Sequence, residues 1–178
     1  MFLTASAEDK KVMYWVSLKF PEGVKFTNDS SMLCFSAEAN IAYNNQFLKF
    51  IYTHGDEDVF MNLSSSFPRQ KLNELSLCYG YLWKCSRIMI DLGGGIGVMH
   101  SLFHGKLIPD TSVTWVNFNY SNMHETIDEM TPIVKVIGNA YVICSDYFAV
   151  GLFLEAFLLK SQPGIFFGAN INFGQFYK

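Results

Sequence analysis

The stretch VMYWVSLKF, residues 12–20, alternates strictly between two sets of side chains. One set is entirely apolar or aromatic: Val12, Tyr14, Val16, Leu18 and Phe20. Successive side chains of a β-strand point to opposite faces, so a two-residue period predicts a strand. The stretch GIFFGANINF, residues 164–173, repeats the pattern: one face carries Ile165, Phe167, Ala169, Ile171 and Phe173, and Asn170 and Asn172 lie on the other.

Shorter segments rich in strand-forming residues lie at 47–53, 58–64 and 114–120. Turn-forming Pro, Gly and Asp residues separate them. Helical signals are weaker: a capping box at Asn122 and Glu125 favours a short helix over 121–130. Residues 36–47 and 150–159 are further helical candidates. We therefore predict a single all-β domain over residues 1–178, an eight-stranded antiparallel jelly-roll sandwich with one or two short helices in loops.

The composition is poor in charge and rich in aromatic residues. Charged residues make up 16% of the 178 residues, against about 25% in an ordinary soluble domain. Aromatic residues also reach 16%. Permanent protein interfaces have this composition, so we expect partner subunits to cover much of the surface. A Phe-rich core is the alternative explanation. The net charge of −3, without a basic run, gives no electrostatic footprint for nucleic acid.

Insertion into a membrane fits the sequence less well. The most apolar window of sufficient length, residues 140–159, contains Asp146 and Glu155. The N-terminal MFLTASAEDKK lacks the basic and apolar regions of a signal peptide. We therefore expect no membrane contact.

The glycine-rich stretch RIMIDLGGGIGVMH, residues 87–100, permits two interpretations. Gly93–Gly97 after an apolar strand resembles the cofactor loop of class I S-adenosylmethionine-dependent methyltransferases, which is the alternative function. The sequence departs from that family's pattern at Asn117 and Asn119, where an acidic side chain should accept hydrogen bonds from the ribose hydroxyls. In addition, the next apolar strand begins directly after residues 138–140, which leaves no room for the crossover helix that a parallel sheet requires. In the other interpretation, the glycines connect two strands at 80–92 and 97–109.

Other candidates for chemistry are isolated. His100 and His104 have the spacing of two metal ligands, but no third ligand follows at a suitable distance. Asp91 and Asp146 end apolar runs, but neither has a Ser–His or Cys–His arrangement near it in sequence. We expect polar side chains without a catalytic role.

Read as connected strands, the chain resembles the jelly-roll capsid proteins of picorna-like plant viruses, of the secovirid or cheravirus type. The resemblance rests on four segments: WKCS at 83–86, GKLIP at 105–109, SLKFPEGVKF at 17–26 and the final GIFFGANINFGQFY. It implies a structural subunit of an icosahedral capsid that assembles with other capsid proteins around an RNA genome, with at most weak contact to the RNA. It also implies a location in the virion, or in the host cytoplasm during assembly. No enzymatic activity, catalytic residue, cofactor or metal is expected.

Overall fold

The computed structural model describes residues 12–25, 31–56, 71–107, 124–158 and 164–176. They form eight strands: β1 (Val12–Lys25), β2 (Ser31–Tyr43), β3 (Gln46–Asp56), β4 (Lys71–Cys85), β5 (Ile88–Leu107), β6 (His124–Ser145), β7 (Phe148–Leu158) and β8 (Gly164–Gln175). Each strand pairs antiparallel with the next one in the chain, and β8 pairs with β1. The result is a closed up-and-down barrel. All described strands belong to it, and the single domain over residues 1–178 stays a prediction.

The jelly-roll sandwich is wrong, although the chain is all-β. A jelly roll has two sheets joined by Greek-key crossovers, whereas here neighbours in sequence are neighbours in the barrel. The described residues contain no helix, and so none that could cross a membrane. Residues 36–47 lie in β2, its turn and β3, residues 150–158 lie in β7, and residues 124–130 lie in β6. The predicted strands at 58–64 and 114–120 lie outside the described residues.

Tight turns gather at one end of the barrel, which we call the short-turn end. Asn44 and Asn45 join β2 to β3 with positive φ angles of 48° and 64°. Positive φ at both central residues is typical of a type I′ hairpin, and Asn tolerates it. Ser86–Arg87 and Asp146–Tyr147 form the other two-residue turns. The connections 26–30, 57–70, 108–123 and 159–163 join strands at the opposite end, called the loop end.

The glycine cluster lies inside β5 and does not join two strands. Gly93 pairs with Gly80 of β4, and both face the interior. A Cβ atom on either would lie 2.7 Å from Cζ of Phe47. The two glycines therefore leave room for this ring. No described glycine has a positive φ angle, so the loop interpretation is wrong.

The alternation predicts the strands correctly, but the two faces are reversed. The apolar set of β1 points outward: Tyr14, Val16 and Phe20 are about half exposed. Ser17 and Lys19, from the other set, are completely buried inside the barrel. On β1 the apolar face is thus the outer wall, and Ser17 and Lys19 lie in the core.

Candidate functional site: the filled barrel interior

Seven charged side chains lie inside the barrel, and each of these residues is at most 2% exposed. Among the residues whose side-chain burial the structure describes, no other charged residue is buried. Carboxylates and ammonium groups alternate along one path, which we call the charge chain. Its order is Asp91, Lys49, Glu38, Lys19, Glu155, Lys135 and Glu74. Buried charges are tolerated when they are paired and hydrogen-bonded, and the alternation supplies such pairs.

The first half of the chain is centred on Asp91. Lys49 Nζ lies 2.8 Å from Asp91 Oδ2 and 3.9 Å from Glu38 Oε2. Tyr141 donates its hydroxyl hydrogen to Asp91 Oδ2 at 2.7 Å, and Asn139 Nδ2 donates to Asp91 Oδ1 at 2.6 Å. Three donors from two other strands, β3 and β6, thus hold one carboxylate.

The second half is centred on Glu155. Lys19 Nζ lies 2.5 Å from Glu155 Oε1, and Lys135 Nζ lies 2.6 Å from Glu155 Oε2. Lys19 also pairs with Glu38, and Lys135 pairs with Glu74 Oε1 at 2.5 Å. The five side chains come from β1, β2, β4, β6 and β7, so the network crosslinks the barrel wall from inside.

Apolar side chains close the interior above and below the charges. One buried cluster lies towards the short-turn end, where the ring centroids of Trp15 and Phe176 are 6.0 Å apart. A second cluster lies towards the loop end, where the ring centroids of Phe157 and Phe166 are 4.9 Å apart. On β6, Lys135 lies between Ile137 of the first cluster and Ile133 of the second. The charges are therefore sealed from water at both ends.

Aromatic rings also contact the ammonium groups. Lys19 Nζ lies 4.5 Å from the centroid of Phe153, and Lys135 Nζ lies 5.9 Å from that of Phe166. The negative face of an aromatic ring attracts a cation at these distances. A packed, sealed interior of this kind stabilises the barrel and leaves no open channel through the described residues.

The sequence-predicted residues are scattered. Asp91 belongs to the charge chain, Asp146 lies in a surface turn, and His100 is exposed with Nε2 2.6 Å from Asp128 Oδ1. His104 lies in β5, but its side chain is outside the description, as are Asn117 and Asn119. No group of three His, Cys, Asp or Glu residues suited to a metal ion occurs among the described residues. The absence of catalytic and cofactor-binding residues stays a prediction.

Sequence reasoning missed the charge chain. A signal was present: on β1, β3, β6 and β7 the face opposite to the buried charged residue carries an uninterrupted run of apolar or small residues. Lys19, Lys49, Lys135 and Glu155 all follow this rule. Alternation with the charges inside is the pattern of transmembrane barrels, in which the outer face meets lipid.

Solved structures with the same fold are bacterial barrels. Neisserial surface protein A has a TM-score of 0.62 at 9% identity, covering 93% of this chain and 99% of that chain. Ail, the attachment invasion locus protein of Yersinia pestis, has a TM-score of 0.60 at 8% identity, covering 95% and 100%. The N-terminal β-barrel domain of Pseudomonas aeruginosa OprF has a TM-score of 0.53 at 8% identity, covering 92% and 99%. No protein-family model matches the sequence, and no curated protein matches it.

These similarities correct the functional predictions. The fold is that of outer-membrane barrels, so the capsid resemblance is wrong, together with the icosahedral subunit and its capsid and RNA partners. The predicted location in a virion or host cytoplasm and the exclusion of a membrane are wrong for the same reason. The methyltransferase alternative also fails, because such a cofactor loop needs a parallel sheet and crossover helices, whereas every strand pair here is antiparallel.

Proposed function

We propose that this chain is an integral barrel of a bacterial outer membrane, which holds its long connections at one membrane surface and forms no open pore. One observation carries the proposal: the outer wall is apolar, and the buried charges all point inward. In water this arrangement is unfavourable, because the apolar outer wall would be exposed to water while the charged side chains are removed from it. In a bilayer the outer face meets hydrocarbon, and the closed barrel leaves no unpaired strand edge.

The height of the apolar wall supports this environment. On β5 the outward-facing positions from Ile88 to Val98 carry no charged or polar side chain. Ten steps of about 3.4 Å, tilted by about 40°, rise about 26 Å. Transmembrane barrels have an apolar band about 25 Å tall. We call this band of outward-facing residues the apolar belt.

The edges of the belt have the residues expected near lipid headgroups. Towards the short-turn end the outward side chains are aromatic with polar groups: Tyr14, Tyr43, Tyr81, Trp83 and Tyr147. Tyr and Trp are enriched where hydrocarbon meets water. Towards the loop end, polar side chains return on β3 to β6 at His54, Asn73, His100 and Asp128.

The function then lies at the membrane surface and involves no catalysis. The charge chain and the two apolar clusters fill the interior, so transport through it is not favoured. Bacterial barrels have short turns on the periplasmic side and longer loops outside. Here the loop end of the barrel would face outward. Ail, which has the same fold, has been solved with the heparin analogue sucrose octasulfate, which agrees with a binding role for such a surface.

Reconstitution tests the proposal. The full chain, refolded in detergent and mixed with phospholipid vesicles, should float with the vesicles and resist extraction by carbonate. Unheated samples should migrate faster in gels than boiled ones, because the closed barrel stays compact. Planar bilayers that contain the protein should show no stepwise conductance. A chain that stays monomeric and soluble without detergent, or that assembles into closed shells, would contradict the proposal.

A further inference from the structure

A small cavity lies at the short-turn end, between the β4–β5 turn and the β6–β7 turn. It has a volume of about 300 Å³ and is lined by Arg87, Ile143, Cys144, Ser145 and Asp146. The backbone N–H of Ile143 donates to the carbonyl oxygen of Arg87 at 2.7 Å, so the first turn is held against the end of β6. A cavity of this size is at the lower limit for a small-molecule site and suits a group of a few heavy atoms.

Two opposite charges at this cavity have no partner among the described residues. The guanidinium of Arg87 and the carboxylate of Asp146 are exposed, and neither forms an ion pair or a side-chain hydrogen bond with a described residue. A guanidinium pairs with phosphate oxygens through two parallel hydrogen bonds. A carboxylate accepts hydrogen bonds from a primary ammonium group. The cavity therefore suits a ligand that carries one group of each sign.

A groove on the outer wall adjoins the cavity. Its floor is β6, where the outward-facing residues Ala140 and Gly138 have almost no side chain. Its sides are four larger aliphatic side chains, paired with the floor on β5 and β7: Ile90, Leu92, Leu152 and Leu154. A Cβ atom on Gly138 would have its nearest contact at 3.7 Å, so the floor is open. Val142 and Cys144, also outward, lead from this floor to the cavity.

We propose that the cavity and the groove together bind one zwitterionic phospholipid of the ethanolamine type. Arg87 would pair with its phosphate and Asp146 with its ammonium group, while one acyl chain would lie along Ala140 and Gly138. The inference rests on the proposed function, because the groove belongs to the apolar belt. The cavity lies at the short-turn edge of that belt, where a headgroup would be.

The two charges select this lipid class over others. A choline headgroup has the same phosphate, but its trimethylated nitrogen has no N–H to donate to Asp146. A glycerol headgroup has no positive charge, so its phosphate would lie near an unpaired carboxylate. An aliphatic groove without hydrogen-bonding groups suits a hydrocarbon chain, which gains dispersion contacts on both sides.

The test counts lipids on the refolded full chain by native mass spectrometry in detergent. Phosphatidylethanolamine, phosphatidylglycerol and phosphatidylcholine are added in equal amounts, with identical acyl chains so that only the headgroups differ. We expect one retained phosphatidylethanolamine in preference to the other two. The difference in gel mobility between unheated and boiled samples establishes that each variant has a closed barrel.

Charge variants test the cavity. Arg87→Gln should lower the retention of phosphatidylethanolamine about tenfold, since a hydrogen bond to a charged group is lost. Asp146→Asn should remove the preference over phosphatidylcholine. Lys71→Gln and Asp128→Asn remove exposed charges at the loop end and should bind like the wild type.

Filling the groove tests the acyl-chain site. Gly138→Leu should weaken the retention of phosphatidylethanolamine, whereas Ala169→Leu, on the outer wall of β8, should not. Trp83 pairs with Ile90 at the side of the groove and gives a second readout without a change at the cavity. In Trp15→Phe/Trp115→Phe, a small fraction of brominated phosphatidylethanolamine should quench Trp83 more than the same fraction of brominated phosphatidylcholine.

The contradicting results are distinct. Equal retention of the three lipids, or a preference that survives both Arg87→Gln and Asp146→Asn, would overturn the proposal. A preference for phosphatidylglycerol that only Arg87→Gln removes would also overturn it, by assigning the cavity to an anionic lipid. A chain that inserts into vesicles but shows no lipid preference refutes this inference alone, whereas a chain that does not insert refutes the proposed function.

Discussion

The outer wall and the interior of this barrel use opposite sets of side chains from the same strands. On β7, Leu152 and Leu154 are exposed, whereas Glu155 between Phe153 and Phe157 is buried. In a water-soluble sandwich we would expect the leucine side chains to be buried and the glutamate side chain to face water. The comparison shows that alternation identifies a strand, while the solvent outside decides which of its faces is buried.

Breaking the charge chain tests the interior side of the comparison and should have the largest effect. Lys135→Met removes the cation between Glu74 and Glu155 and leaves both carboxylates buried without it. Removing one partner of a buried ion pair typically costs about 3–5 kcal/mol. We expect a loss of this size in the free energy of unfolding, measured by denaturant titration in detergent.

The double variant Lys135→Met/Glu74→Gln serves as the control for this substitution. It deletes one of the stranded carboxylates and should recover part of the lost stability. A loss below about 1 kcal/mol for Lys135→Met alone, as for an exposed ion pair, would show that water reaches the network.

A charge on the outer wall tests the opposite side. Leu154→Lys places an ammonium group in the middle of the apolar belt on β7. Lys at the bilayer midplane on the lipid face costs about 2–4 kcal/mol, and the cost approaches zero near the interfaces. Unfolding titrations in vesicles should show this loss. Gln46→Lys, at the short-turn edge, is the matched variant and should behave almost like the wild type. Equal effects of the two substitutions would contradict a buried belt.

Gly93 and Gly94 are neighbours on β5, and substituting each of them compares an inward position with an outward one. Gly93→Ala puts a methyl group 2.7 Å from the Phe47 ring and 2.6 Å from the carbonyl oxygen of Tyr79. Overpacking of this kind costs about 1–3 kcal/mol. Gly94 points outward, where the nearest contact of a Cβ atom is at 3.3 Å, so Gly94→Ala should change the free energy of unfolding less. The same titration, run on both variants, would contradict the assigned faces if Gly94→Ala were the more destabilising.

Sequence alone was sufficient for the strands but not for their arrangement. The period at 12–20 and 164–173 predicted β1 and β8, and the segment 47–53 lies within β3. The short helices were wrong because capping residues and apolar runs are local signals, and pairing with adjacent strands overrides them. Closure of β8 onto β1 depends on contacts between the two ends of the chain, which no local pattern encodes.

The candidate site was missed because burial was assigned to the apolar face. Lys19 and Lys49 looked like solvent-facing residues, since charged residues are rarely buried in soluble domains. A low charge content is typical of subunit contacts, but contact with lipid depletes charge in the same way. Glu155 argues against membrane insertion only if its segment crosses the bilayer as a helix. In the barrel, the side chain of Glu155 points into the interior and away from the outer wall.

Two tryptophans allow the most direct test of the central claim that the outer wall faces lipid. Trp83 is outward and 54% exposed, and Trp15 is inward and 2% exposed. Trp15→Phe/Trp115→Phe leaves Trp83, and Trp83→Phe/Trp115→Phe leaves Trp15. In vesicles containing brominated phospholipids, the account predicts strong fluorescence quenching of Trp83 and weak quenching of Trp15. Quenching of Trp83 by aqueous iodide but not by the brominated lipid would contradict it.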